Sequence, residues 1–271
     1  MTNLISQSFQ KHNKKLVTFI TGGDPDFNTS KKIIRNLISN DVDILEIGMP
    51  FSDPMADGPT IQLSSNRALK KNITLERIFD LSINAKKINN KLPIILMGYY
   101  NVILHYGIQR FVKKCTSSGV DGLIVVDLQP EEDEELTNVL KENDIKLIRL
   151  ITPTTDEDRL KLILNNASGF LYYVSVMGVT GQKSANIDNL EKSIKFIRKH
   201  SDLPIIPGFG VKTSIDVKNI CRISDGAVVG SSIIKIIERN LNNKDKMLRD
   251  IDLFVKELKS GTKLWIGLLV L

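Results

Sequence analysis

Cysteine is scarce in this 271-residue chain, which has two. Cys115 and Cys221 are far apart and lack metal-ligand spacing. A disulfide-stapled secreted fold is thereby excluded, and reduced thiols in a cytoplasmic protein are expected. Histidine is equally sparse: His12, His105 and His200 are scattered, so no metal site is expected. No apolar run reaches the roughly 20 residues that cross a bilayer. Polar residues interrupt the chain before Leu16, so neither a signal peptide nor a membrane partner is expected. The terminal "LWIGLLVL" (264–271) is apolar but too short to span. It reads as a docked segment or as a stretch foreign to the fold, and its role stays open. Concentrated charge is missing too. The formal net charge is +6, but the basic residues are dispersed doublets such as Lys14-Lys15, Lys31-Lys32 and Lys86-Lys87, a solvated surface rather than a nucleic-acid patch. No Gly/Ser linker or composition shift divides the chain, so one domain over 1–271 is expected, with the segment after about residue 260 set apart.

What the chain does have is a large apolar content, 42% hydrophobic against 25% charged residues, in a repeating order. Short apolar runs recur: "LVTFI" from Leu16, "DILEI" from Asp43, "PIILM" from Pro93, "GLIVVD" from Gly122, "KLIRLI" from Lys146, "FLYYVS" from Phe170, "PIIPG" from Pro204 and "GAVVG" from Gly226. Between them lie stretches of helical spacing, such as "SKKIIRNLISN", "IQRFVKKCTSSG" and "LEKSIKFIRKH". Near-continuous apolar strands alternating with amphipathic helices predict a parallel sheet covered by helices. Eight such units predict an α/β fold, a single (β/α)8 TIM barrel, with its chemistry on the loops that follow the strands.

"EIGMPFSDPMADGPTIQ" leaves the second run, so it belongs at that mouth. Side chains alternate along a strand: Leu45 and Ile47 share one face, Ile44, Glu46 and Gly48 the other. With the first pair against the helices, Glu46 points into the barrel near its upper rim. Burial would raise its pKa towards neutrality, which suits a general acid or base. A structural glutamate capped by an inner hydrogen bond is the alternative, and position favours the functional role. Asp57 lies in a loop beside Gly58 and is expected to stay ionised. Two carboxylates with separated pKa values suit an acid/base and an electrostatic stabiliser. Asp53 reads as a third such group, a turn residue or a surface contact, and the spacing does not choose among them.

On the far side, "PGFGVKT" follows the seventh run and "VVGSSIIKI" the eighth. Barrels often bind phosphate there, through glycine-permitted backbone N–H groups and a helix N-terminus. Gly208, Gly210, Gly230, Ser231 and Ser232 supply both ingredients, with ordinary turn glycines and helix-capping serines as the plainer alternative. "SVMGVTGQKSAN" has the length and small residues of a lid that shuts out water. "PEEDEEL" reads as acidic residues in the first turn of a helix.

These motifs together are familiar. "LEIGMPFSDPMADGPTIQ" resembles the signature of the tryptophan synthase α subunit family, and "FITGGDPD", "MGYYN", "DGLIVVDLQPEE", "VSVMGVTG", "PGFGV" and "GSSIIKII" match further family motifs in order. The resemblance covers nearly the whole chain from about Leu16. It implies a carbon–carbon lyase of tryptophan biosynthesis that cleaves indole-3-glycerol phosphate to indole and glyceraldehyde 3-phosphate. It implies no cofactor in this chain, and a β-subunit partner that carries pyridoxal phosphate and receives indole, in an α2β2 assembly. Carried over by resemblance, Glu46 is the catalytic acid/base and Asp57 the carboxylate at the indole nitrogen. Phe19, Tyr99, Leu123 and Ile124 belong to the indole pocket, and Tyr172 lies near the glycerol phosphate. Thr180 belongs to the lid and hydrogen-bonds the aspartate on closure. Gly181, Gly210, Gly230 and Ser231 contact phosphate, while Asp53 and Asn101 fall in the β-facing region. The chain departs from the family pattern at Gln129, where many members have proline, and after Lys263. Other phosphate-binding barrels of this type would use a catalytic lysine on an inner strand, and no run offers one as well placed as Glu46. A non-catalytic regulatory barrel would not require the Glu46 and Asp57 pair.

Overall fold

The computed structural model describes residues 3–10, 13–174, 183–208 and 210–263. Among these residues, nine strands form one parallel sheet: β1 (Lys15–Thr21), β2 (Ile44–Gly48), β3 (Ile94–Gly98), β4 (Gly122–Val125), β5 (Lys146–Leu147), β6 (Arg149–Ile151), β7 (Leu171–Val174), β8 (Ile205–Gly208) and β9 (Gly226–Val229). Their order is β5-β4-β3-β2-β1-β9-β8-β7-β6, so the two flanking strands are consecutive in the chain. β5 pairs with β4, and β6 with β7. Only Ile148 separates them, and its amide still donates to the Leu123 carbonyl at 2.9 Å. The expected barrel is present and nearly closed, with its fifth strand broken at Ile148.

Alternation along the strands builds two cores. Val17, Ile44, Ile95, Ile124, Ile148, Ile206 and Val228 pack inside the barrel. Leu16, Leu45, Ile47, Leu96, Leu123, Leu171 and Ile205 face outward into the layer beneath the helices. The interior is thus lined by β-branched side chains, which are stiff at χ1 and suit a pleated surface. The foot is plugged by a short helix, Leu4–Phe9. Asn3 caps it, accepting from the Ile5 amide at 2.9 Å, and its own amide group donates to the Asp121 and Asp144 carbonyls. Ile5 enters the inner core, and the Phe9 ring lies 5.9 Å from that of Phe170. Sequence periodicity does not reveal this helix because it is shorter than two turns.

The outer helices follow the expected pattern. Helix Phe27–Ser39 is capped by Asp26, and helix Ser214–Ile223 opens with a Thr213/Asp216 capping box. "PEEDEEL" is more than a charged first turn. Pro130–Glu132 form a 3-10 turn before helix Glu134–Glu142. Between them, Asp133 is buried against Arg149 of β6. Arg149 also donates to the Leu128 carbonyl at 3.0 Å, and Asn166 donates to Asp133 at 2.9 Å. Both cysteines are buried free thiols, and burial pushes Cys221 up to about 12.

Candidate active site

Because all strands run parallel, the loops after their C-terminal ends gather at one mouth. Glu46 lies in the middle of β2, its Cα in register with Phe19 of β1 and Ile95 of β3. It shares a face with Ile44, which belongs to the inner core. Glu46 is fully buried, below the rim rather than at it, because β2 continues to Gly48. Neither carboxyl oxygen has a hydrogen-bond partner among the described residues. Burial pushes this group up to about 8. The negative form is disfavoured where nothing solvates it, so at neutral pH the group holds a proton it can give. Tyr172 of β7 is its electrostatic neighbour: burial first, then Glu46, push the phenol well above its ordinary value.

Above Glu46 opens a cleft of about 250 Å³, lined by Phe19, Asp57, Met97, Tyr172, Gly230 and Ser231 among others. A smaller recess of about 20 Å³ continues past Phe19, Asp57 and Met97 towards Gly48, Met49 and Tyr99. Strand-end glycines shape this floor. A Cβ on Gly48 would sit 2.7 Å from the Phe19 ring, and one on Gly208 would sit 2.6 Å from the Tyr172 ring. Any side chain there would displace the ring beside it.

Asp57 forms the wall common to cleft and recess. Its loop is pinned locally: the Asp57 amide donates to the Pro54 carbonyl at 3.0 Å, and the Gln62 side chain donates to the Asp57 carbonyl at 2.9 Å. The loop leads into helix Pro59–Lys70. That helix is tied to the loop after β1 by the Arg67–Asp24 ion pair at 2.7 Å, and to the end of β1 itself by a 2.5 Å contact between the Thr21 and Ser64 hydroxyls. Asp57 is half-buried, and burial raises its pKa while a hydrogen bond from the Tyr99 hydroxyl lowers it.

Across the cleft, Gly230 precedes helix Ser231–Arg239, whose first turn has no side-chain cap. Its free N–H groups and positive dipole end make an anion-binding position. Gly210 lies on the same wall with φ of 35°, in the left-handed region that favours glycine. Ser232 does not join this wall as a free hydroxyl; it donates to the Val211 carbonyl at 2.6 Å.

The structure brings together Phe19, Asp57, Tyr172, Gly210, Gly230 and Ser231 around the cleft, with Tyr99 at the recess. Ile124 lies in the inner core, whereas Leu123 packs in the outer layer beneath the helices. Adjacent strand residues cannot face the same way, so Leu123 is not on the pocket side. Asp53 and Asn101 are exposed outside the cleft. Thr180 and Gly181 lie outside the described residues. Ile61, Met97 and Val211 also line the cleft. The apolar strand-end position of Met97 was the signal for it; Ile61 and Val211 gave none beyond hydrophobicity. Lys15, on the register of Val17 and Phe19, opens β1 at the foot, at the opposite end from this site.

Comparison with known proteins bears on the chain as a whole. The tryptophan synthase alpha chain family model matches residues 5–263. The tryptophan synthase alpha chain of Petrotoga mobilis is 46% identical over 255 residues, 94% of this chain and 98% of the relative. That of Geotalea uraniireducens is 45% identical over 254 residues, 94% of each. The crystal structure of tryptophan synthase subunit alpha from Legionella pneumophila superposes with a TM-score of 0.90 at 32% identity, covering 97% of this chain and 99% of that one.

Proposed function

This chain belongs to the tryptophan synthase alpha chain family, and from that premise we propose that Glu46 and Asp57 divide its chemistry between them. The reaction is the retro-aldol cleavage of indole-3-glycerol phosphate to indole and glyceraldehyde 3-phosphate. Protonation of indole C3 turns the ring into an electron sink. The bond from C3 to the glycerol carbon then breaks as the hydroxyl on that carbon loses its proton and becomes the aldehyde. Glu46, protonated at neutral pH by its burial, gives its proton to C3 and as carboxylate collects the one from the hydroxyl. The net change is one proton moved from oxygen to carbon, and the acid is regenerated. Asp57 stabilises the positive charge that develops at the indole N–H, an effect worth on the order of 10²–10³ in rate.

Gly210, Gly230 and Ser231, with Gly181, hold the phosphate. The first three rim the cleft opposite Asp57, so a substrate gripped there spans towards the recess with its ring. Remote binding energy of this kind aligns the reacting bond. Phe19, Ile124 and Tyr99 furnish the apolar side of the ring site, and Tyr172 flanks the glycerol. This chain needs no organic cofactor or metal. The exposed Asp53 and Asn101 face a β subunit, in an α2β2 assembly, which carries pyridoxal phosphate and consumes the indole. The described residues form one domain carrying this site, and the protein works in the cytoplasm.

The observation that carries this reading is the fully buried Glu46 carboxyl, without a hydrogen-bond partner among the described residues, on the inner face beneath the cleft. The test is indole release from indole-3-glycerol phosphate by the full chain and by Glu46→Gln. Release by the former and not the latter supports it. Equal release by both overturns Glu46 as the acid, and no release by either, with β subunit present, favours a non-catalytic barrel.

A further inference from the structure

Tyr99 stands where three mouth loops meet. It precedes helix Tyr100–Tyr106, and the Tyr100 amide donates to Asp127 in the loop after β4 at 2.8 Å. Its ring lies 5.2 Å from that of Phe51 in the loop after β2. An apolar pocket wall here would be served as well by phenylalanine, so the hydroxyl calls for its own explanation, since a buried one normally has a partner. The Tyr99 oxygen accepts from the Ala56 amide at 3.0 Å. Tyr99 and Asp57 line the same recess, and after burial the charge of Asp57 is the next cause that pushes the phenol up to about 12.

We propose that Tyr99 is a positioning residue for Asp57, its hydroxyl fixing the backbone immediately before the carboxylate and so the place of the carboxylate in the wall between cleft and recess. The inference rests on the role read for Asp57 and deepens it. A contact to the amide of the residue immediately before Asp57 restricts where the carboxylate stands. Burial raises the Asp57 pKa, and the Tyr99 hydroxyl beside it acts the other way by favouring the negative form. The ionisable groups around this arrangement are few. Tyr99 comes from the end of β3, Tyr172 from the β7 wall of the same cleft and Glu46 from β2, while Asp127, after β4, acts on Tyr99.

The test compares Tyr99→Phe, Asp57→Asn and the double variant in the full chain with its β subunit. The pH dependence of indole formation and the affinity for glycerol 3-phosphate are measured for each. Tyr99→Phe should keep that affinity within about twofold, lose roughly tenfold in kcat, and shift the acidic limb of its profile to higher pH. In the Asp57→Asn background the same change should cost less than about twofold, because its target is gone. An equal loss in both backgrounds, or an unmoved acidic limb, overturns the proposal. If Asp57→Asn alone keeps wild-type kcat, the role read for Asp57 falls as well. If Asp57→Asn is impaired while Tyr99→Phe is silent, only the positioning role falls.

Discussion

Glu46 places the clearest constraint on pH. Its carboxyl is raised from 4.5 to about 8, so the folded chain binds this proton more tightly than the unfolded one. Its contribution to stability is therefore fully present below about pH 4.5, declines as pH rises, and is gone above about pH 8. At about 1.4 kcal/mol per unit, the swing is on the order of 4–5 kcal/mol. Glu46→Gln cannot titrate, so its Tm relative to wild type should climb between pH 5 and pH 8.5. Parallel melting profiles across that range would contradict the raised value. The same variant should lose at least about a hundredfold in kcat, and wild-type kcat/KM should fall above about pH 8 as the acid ionises. Glu46 was legible because alternation through Ile44, Leu45 and Ile47 leaves it one face. The setting of Asp57 was not, since its loop meets Tyr99 across 43 positions of sequence. Leu123 was misassigned for the converse reason: motif position places a residue near a site without saying which way its strand turns it.

Among the elements, helix Ser231–Arg239 carries the proposed phosphate grip. Its uncapped N-terminus beside Gly230 lines the cleft, and an anion there interacts favourably with the free N–H groups and the dipole. Ser231→Asp places a competing negative charge at an exposed position. Glycerol 3-phosphate affinity should fall about tenfold or more with little change in Tm, since one charge at the first turn meets the dipole favourably. Unchanged affinity by calorimetry would remove this helix from the phosphate grip. A second element-scale prediction concerns Asp133, which caps no helix but buries its charge against Arg149. Asp133→Ala leaves a buried guanidinium uncompensated and should destabilise the fold by roughly 3–5 kcal/mol in urea unfolding. A loss under about 1 kcal/mol would class the pair with weak surface bridges. "KLIRLI" shows the limit of pattern reading at this scale. Its apolar run predicts one strand, and it folds as two because β5 bonds backward to β4 while β6 bonds forward to β7. That exchange depends on closure of the ring, not on local sequence.

For the molecule as a whole, the mouth has apolar surface that the barrel does not use. Met55, in the loop after β2, is 84% exposed, and Leu104, in helix Tyr100–Tyr106, is 50% exposed. The two segments are joined through the Phe51–Tyr99 ring contact and the Tyr99–Ala56 hydrogen bond. Asp53 and Asn101 lie exposed on the same two segments. Exposed apolar side chains rimmed by polar ones suit a docking face. Indole is apolar enough to leave through membranes, which gives a physical reason to seat this mouth against the enzyme that consumes it. Burying Met55 would hold the loop that carries Asp57, so docking and lyase chemistry should be coupled through the β2 loop. Adding the β subunit should give a complex by sedimentation at micromolar concentration and raise the rate of indole formation. Met55→Asp should weaken that complex most, by placing a charge in a desolvated contact, and Asp53→Ala should weaken it less. In both variants, activity without the β subunit should stay near wild type, because neither side chain lines the cleft. Absence of a complex would refute the docking face. A complex that forms with unaltered affinity in Met55→Asp would move the interface elsewhere, and one that leaves the lyase rate unchanged would uncouple docking from the β2 loop.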